Sequence, residues 1–264
     1  MKLSVVTISF NAEECIARTI QSVLAQTVPV YEYIMIDGAS KDRTYEIICS
    51  YDAEFERRGI RFLHISEPDK GISDAFNKGV SRATGDLVAI INADDELMPQ
   101  ANEILEKACA EKQADVYYGN SIWVDPEHSR EYVKKPVSHD LSRLLFSMVI
   151  IHPSTFVRKS VYDKYGLFDI TYRYCMDKEL LYRFYKNGVT FTYVDQELTK
   201  VKAGGVSDRL TNAVFAEGNR MARDNGASER QIFIVTMKKK FKNVVTKNLK
   251  KTSLYLPVKK LLKK

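Results

Sequence analysis

Cysteine is scarce in this chain. The four present, Cys15, Cys49, Cys109 and Cys175, lie far apart and form no CxxC pair. That spacing argues against a zinc site or a disulfide framework and fits a reducing compartment. Long apolar runs are also missing, and none approaches the ~20 residues of a bilayer-spanning helix. The opening MKLSVVTISFNAEE has only a short apolar stretch, which runs into Asn11 and acidic residues, so it reads as a strand and not a signal peptide. No GxGxxG follows that strand, which disfavours a dinucleotide-dependent dehydrogenase. Repeats and low-complexity tracts are absent too. Acid is missing from one region: between Met237 and Lys264 there are eleven lysines and no Asp or Glu. The chain carries +6 overall, so removing that tail leaves a body of −5. An acidic body and a basic tail call for separate explanations.

With 264 residues and 45% apolar content, the chain can bury one full core and add a C-terminal extension. Its first hundred residues alternate strand and helix signals. Strands are expected at Leu3–Phe10, Tyr33–Ile36, Ile60–Ile65 and Leu87–Ile91. Helices are expected at Ala12–Gln26, Asp42–Tyr51 and Gly71–Arg82, with another opened by Pro99. Such repetition predicts an α/β fold: a mostly parallel sheet, helices on both faces, and ligands at the carboxyl ends of the strands. Further strands are expected at Val116–Asn120, Ile122–Val124, His152–Arg158, Thr190–Val194 and Leu198–Ala203. Helices are expected near Val161, at Lys178–Asn187 and at Ala213–Asn225.

Polar residues sit at the expected strand ends: Ser9 and Asn11, then Asp37, then Glu67 and Asp69, then Asp94 and Asp95. Four such ends in succession describe a crevice lined by carboxylates. Thr7, Ser9, Phe10 and Asn11 can stack on and hydrogen-bond a base, although Asn11 also suits a helix cap. Asp37 can accept from a pyrimidine imide or a guanine edge, and Asp37-Gly38 also reads as a turn. Lys70 can meet a diphosphate, with Asp74 and Asn77 one and two turns further on. Two carboxylates in Asn92-Ala93-Asp94-Asp95 are costly at a buried strand end unless a cation or hydrogen bonds offset them. Mg²⁺ or Mn²⁺ held by Asp94 and Asp95 with substrate phosphates meets that need.

SVVTISFN, IMIDGASKDRT, EPDKGISDAFNKGVSRATGD and IINADDELMP occur in this order, followed by HPSTFVRKSVYDKYGLFD and CMDKELLYRFYKNG. Together they resemble a family 2 glycosyltransferase with the GT-A fold, over roughly Lys2 to Asp208. The resemblance implies a nucleotide-sugar-binding half (1–100) and an acceptor half (101–208), followed by a helical region (209–264). It implies transfer from a nucleotide sugar, with Asp37 reading uracil, Asn92 and Asp94 near the donor, and Asp95 at the metal. It makes Asp177 the general base, and places His152 and Glu179 on the acceptor side. An acceptor hydroxyl activated by that base on the face opposite the leaving group implies inversion. Ala203 to Ser207 corresponds to a loop folding over the donor. Two departures stand out: Asn92 replaces the first acid of the DxD pattern, and Met176 replaces the Glu of a Glu-Asp pair. They leave a catalytically decayed binding module open. A nucleotidyltransferase is the other alternative, although SFNAEE lacks its glycine-rich basic loop.

In the tail, Met237, Phe241, Val244, Val245 and Leu249 recur at helical spacing. Lys239, Lys240, Lys242, Lys247 and Lys250 lie around the other side. Pro257 interrupts, and Lys259, Lys260, Lys263 and Lys264 follow. This basic amphipathic pattern is expected at a membrane surface, while the acidic body and the scarce aromatic interleaving of the tail argue against nucleic acid. The combined expectation is a cytoplasmic enzyme on the inner face of the cell membrane, acting on a glycan or lipid-linked acceptor.

Overall fold

The computed structural model describes residues 1–125, 127, 129–203 and 212–249. Gly204 to Ser207 of the expected donor loop, and the tail from Lys250 onward, lie outside these residues. The chain forms two compact units, Met1–Gly205 and Val206–Lys264.

The first unit is built on one nine-stranded sheet. β1 (Leu3–Ser9), β2 (Glu32–Asp37), β3 (Arg61–Ser66) and β4 (Leu87–Asn92) pair in parallel in the order β3-β2-β1-β4. β1 and β2 are apolar on both faces because helices cover both faces. On one face Leu3, Val5, Tyr33 and Met35 pack with Ile16 and Ile20 of α1 (Ile16–Leu24) and Leu105 of α5 (Ala101–Glu111). Between these helices come α2 (Thr44–Cys49), α3 (Asp52–Arg57) and α4 (Ile72–Arg82). On the other face Val6, Ile34 and Ile36 pack with Phe76 and Val80 of α4. α4 lies so close to β1 that a Cβ at Gly79 would sit 2.3 Å from Cγ1 of Val6.

Beyond β4 the sheet becomes mixed. β8 (Thr155–Arg158) pairs antiparallel with β4 and with β6 (Val116–Asp125). β9 (Phe191–Lys202) runs parallel to β6, and β5 (Glu96–Leu97) closes the far edge against β9. β7 (Arg130–Lys134) forms a hairpin with the outer half of β6. The parallel order of the first half therefore does not extend through the second, because β8 enters from a long connection that reverses the chain. The two short strands expected at 116–120 and 122–124 are one strand. Ser121 does not interrupt it, because its hydroxyl is buried 2.7 Å from those of Ser154 and Thr199. The strands expected at 190–194 and 198–203 are likewise one, with an irregular register opposite Gly119. α6 (Lys159–Tyr165) follows β8, and α7 (Met176–Lys186) packs Leu181 and Phe184 into the second core layer.

The geometry that matters for function follows from β8. Its antiparallel entry brings the 3-10 turn His152–Ser154, which precedes it, to the carboxyl end of β4. The acceptor-half residues thus reach the same sheet edge as the ends of β1, β2 and β4.

The second unit contains α8 (Asn212–Asp224) and α9 (Glu229–Leu249). Gly226, at φ +86°, supplies the left-handed residue after α8. Ser228 and Gln231 form a reciprocal cap: Ser228 N–H donates to Gln231 Oε1 at 2.8 Å, and Gln231 N–H donates to Ser228 Oγ at 3.3 Å.

Candidate active site

Asp37 ends β2 fully buried. Its Oδ1 accepts from the hydroxyls of Ser9 (3.1 Å) and Ser40 (2.5 Å). Its Oδ2 accepts from Ser66 Oγ (2.6 Å) and Ser40 N–H (3.0 Å). An ionised carboxylate offers about four lone-pair sites, and here all are filled by the protein. Asp37 is therefore an anchor that ties the ends of β1, β2 and β3 together, and it is closed to a base. Ser9 is absorbed into the same network. Thr7 is not at the strand end at all. It points into the core, where its Oγ1 accepts from Tyr33 OH at 3.0 Å. Asn11 joins two loops: its N–H donates to Ser40 Oγ (2.9 Å) and its Oδ1 accepts from Lys41 N–H (2.9 Å). The sequence signal for this anchor was a serine at each neighbouring strand end.

Above the anchor the surface opens. Phe10 is 63% exposed, and its ring borders Gly38. The position a Cβ on Gly38 would fill is instead approached by Asp69, whose Oδ2 lies 2.6 Å from it. Asp69 Oδ1 accepts from Gly71 N–H at 2.7 Å, which leaves Oδ2 toward Phe10 and Gly38. Lys70 is exposed, and its ammonium makes no ion pair among the described residues. Asp74 serves α4 instead of a ligand: its Oδ2 accepts from Lys70 N–H at 3.0 Å and lies 3.7 Å from Lys78 Nζ. Lys78 also reaches Glu67 at 3.0 Å and donates to the Pro68 carbonyl at 2.7 Å, clamping the loop that carries Asp69. Asn77 holds both backbone groups of Phe168 and is likewise structural.

At the end of β4, Asp94 is exposed and Asp95 is only 2% exposed. Asn92 does not face the donor, since its Nδ2 donates to Asp95 Oδ2 at 2.9 Å. Backbone N–H groups of Asn92 and Lys202 also reach the Asp95 carboxylate. Thr19 of α1 fixes the turn, its hydroxyl lying 2.7 Å from the carbonyls of Ala93 and Asp95. Burial, and then the charge of Asp94, push the Asp95 pKa up to about 7, against which these hydrogen bonds work. Among the described residues no three His, Cys, Asp or Glu side chains are grouped to hold a metal. Cys15 lies near Asp94, but burial and that charge raise its thiol pKa, so it remains a neutral thiol. The protein thus supplies a pair of oxygen donors, one outward and one behind it, which fits a cation whose other ligands come from a substrate.

His152 and Asp177, 25 residues apart in the chain, lie close enough for the Asp177 charge to act on the imidazole. The His152 ring has Phe76 and Phe168 each at 6.0 Å between centroids. Burial lowers its pKa, and the nearby Asp177 charge only partly opposes this, so the imidazole is neutral at pH 7. Asp177 occupies the first turn of α7, where the helix dipole favours a carboxylate. Glu179 is not available to an acceptor. Both its oxygens are held by Arg183, at 2.8 and 3.1 Å, and that guanidinium also donates to the carbonyls of Tyr165, Gly166 and Leu167.

These strand-end groups, the exposed ring of Phe10, the acidic pair Asp94 and Asp95, and Asp177 near His152, are carried on an α/β fold of the GT-A type. The model of glycosyl transferase family 2 matches residues 4–182, and this chain belongs to that family. A PGL/p-HBAD biosynthesis glycosyltransferase of Mycobacterium bovis is 26% identical over 217 residues, covering 80% of this chain and 81% of that protein. The putative teichuronic acid biosynthesis glycosyltransferase TuaG of Bacillus subtilis is 36% identical over 113 residues, covering 41% and 44%. In structure, residues 1–349 of S. aureus TarS in complex with UDP-GlcNAc give a TM-score of 0.69 at 17% identity, covering 89% of this chain and 70% of that one.

The buried Asp95 generates a prediction with a defined sign. Folded Asp95 keeps its proton up to about pH 7, whereas an unfolded aspartate loses it near ~4. The folded state therefore binds the extra proton, and this group's contribution to stability declines as pH rises from ~4 to ~7. Asp95→Asn should flatten that decline in a melting-temperature series, and Mn²⁺ should stabilise the wild-type protein more at pH 8 than at pH 5. Equal Mn²⁺ stabilisation at both pH values would count against a cation at Asp95.

Proposed function

We propose that this glycosyltransferase moves a sugar from a UDP-sugar, with inversion, onto a hydroxyl of a lipid-linked or cell-surface glycan. The observation that carries this reading is the division of one sheet edge. Phe10, Asp69, Lys70 and Asp94 are presented along the ends of β1 to β4, and the His152–Asp177 pair follows beyond β4. Phe10 offers a face for a pyrimidine, and the open Asp69 Oδ2 an acceptor for its imide N–H. Lys70 supplies an unpaired cation for the diphosphate. The UDP-GlcNAc complex of TarS and the teichuronic acid biosynthesis named for TuaG support the choice of donor and acceptor class.

Asp94, with Asp95 behind it, would hold Mg²⁺ or Mn²⁺ against the diphosphate oxygens. A cation there neutralises charge on the departing nucleotide. The acceptor oxygen attacks the anomeric carbon as Asp177 takes its proton. The bond from that carbon to the β-phosphate oxygen breaks, and its electron pair leaves with UDP. Neutral His152 can orient the hydroxyl without adding charge. One displacement inverts the anomeric centre. Asp177→Asn should lower transfer at least ~10²-fold, the scale of a lost general base, with UDP affinity unchanged in calorimetry. Near-normal turnover would move the base to His152, since Glu179 is taken up by Arg183.

Attachment to a membrane surface rests on α9. Phe233, Met237, Phe241 and Val244 are exposed at successive turns, beside Lys238, Lys239, Lys240 and Lys242. Among the described residues no helix is long and apolar enough to cross a membrane. Apolar insertion and about 1 kcal/mol per lysine near an anionic leaflet would anchor the chain peripherally. Replacing Met237, Phe241 and Val244 with serine should abolish flotation with anionic vesicles and spare UDP-sugar hydrolysis. Undiminished flotation would place the anchor elsewhere.

A further inference from the structure

A second polar cluster lies next to the His152 turn and has no part in the donor chemistry. It arises from the irregular pairing of β6 with β9. Tyr118 pairs with Tyr193, but Asn120 pairs with Glu197, so the single residue Gly119 faces Val194, Asp195 and Gln196. A Cβ at Gly119 would lie 2.9 Å from the Gln196 carbonyl oxygen, so the bulge folds tightly over a glycine. Bulges of this kind re-aim a side chain, and the residue re-aimed here is Asp195.

Three donors converge on one oxygen of that carboxylate. Asn120 Nδ2 donates to Asp195 Oδ1 at 2.9 Å, Lys135 Nζ at 2.8 Å and Tyr193 OH at 2.7 Å. Oδ2 receives no hydrogen bond among the described residues, and the side chain is 61% exposed. The Asp195 pKa is held well below the usual range, by Lys135 first and then by Asn120 and Tyr193, so the group stays ionised. Burial and Asp195 push the Tyr193 phenol up to about 12, so it remains a donor. His139 lies against the Tyr193 ring, tilted by 45° with 4.5 Å between centroids, and its Nδ1 is 2.9 Å from the hydroxyl of buried Tyr118. The outcome is a carboxylate oriented by its neighbours with one oxygen presented outward, a lysine beside it with N–H groups to spare, and an exposed imidazole packed against two tyrosine rings.

These groups match the surface of a sugar. A hydroxyl can donate to Asp195 Oδ2 while accepting from Lys135, and the C–H face of a pyranose can lie on the exposed His139 ring. An anion fits poorly, because Asp195 already neutralises Lys135 and its free oxygen would repel a phosphate. The position is suited to the acceptor: the Asn120 carbonyl accepts from Ser154 Oγ at 2.8 Å, and Ser154 closes the 3-10 turn that His152 begins. We propose that Asp195, Lys135 and His139 form a saccharide subsite that holds the acceptor glycan beside His152, an inference that rests on the glycosyl-transfer reading above.

The test uses the full chain with UDP and Mn²⁺ and a panel of octyl glycosides of glucose, galactose, mannose, rhamnose and N-acetylglucosamine. Saturation-transfer NMR reads glycoside and UDP binding separately in one sample. At least one glycoside should bind the wild-type protein without displacing UDP. Asp195→Ala should weaken that binding about tenfold or more, the scale of a lost hydrogen bond to a charged group. Lys135→Met should weaken it as well, and neither substitution should change the UDP signal or the melting temperature beyond the small effect of an exposed side chain. Undiminished glycoside binding in Asp195→Ala, or no binding of any glycoside to the wild-type protein, would overturn the subsite. Loss of UDP binding in the wild-type protein would instead overturn the donor reading, with the glycoside signal still deciding the subsite.

Discussion

The organisation of the crevice depends on one buried carboxylate. Asp37 has no solvent contact, and Ser9, Ser40 and Ser66 fill its acceptor positions. Those serines belong to three separate segments, so satisfying one charge fixes the relative heights of three strand ends. Leaving such a carboxylate unpaired would cost several kcal/mol, which makes the arrangement close to all-or-none. Phe10 and Asn11 follow Ser9, and Gly38 follows Asp37, so the surface above takes its shape from this anchor. An opened side chain at position 38 would collide with Asp69. The glycine therefore lets the neighbouring strand's loop deliver the acid.

The two other carboxylate centres show how environment divides the roles of one residue type. Asp95 is buried beside Asp94, and burial with that neighbouring charge keeps its proton up to about pH 7. Asp177 stands in the first turn of α7, near the imidazole of His152. Glu179 is two residues away on the same helix turn, yet its pairing with Arg183 commits it to holding α7 against the end of α6. Distance along the chain is a poor guide to which acid is free; the partners of each oxygen decide it.

Much of this edge was legible in the sequence. Parallel strands announce themselves as β-branched runs, and their polar ends mark the crevice, so Asp94, Asp95 and Asp177 fall at the expected element boundaries. The facing of individual side chains was less legible. Thr7 lies in phase with Leu3 and Val5, and the two-residue period of a strand sends it into the core to meet Tyr33. Asp37 looked open because its saturation depends on Ser66, which is 29 positions away. The Glu179–Arg183 spacing of four was the one local clue that the acid is paired. The antiparallel entry of β8 and the bulge in β9 arise from long-range pairing, for which the chain carries no local signal.

The central claim is that the protein itself occupies Asp37 and that Asp69 faces the base. Calorimetry of UDP and of N3-methyl-UDP, with wild-type protein and with Asp69→Ala, addresses it directly. The account predicts that Asp69→Ala loses about tenfold or more in UDP affinity, the scale of one charge-assisted hydrogen bond. It also predicts that N3-methyl-UDP binds the two proteins alike. Unchanged UDP affinity in Asp69→Ala, with methylation still weakening the nucleotide, would contradict it and return base recognition to another group.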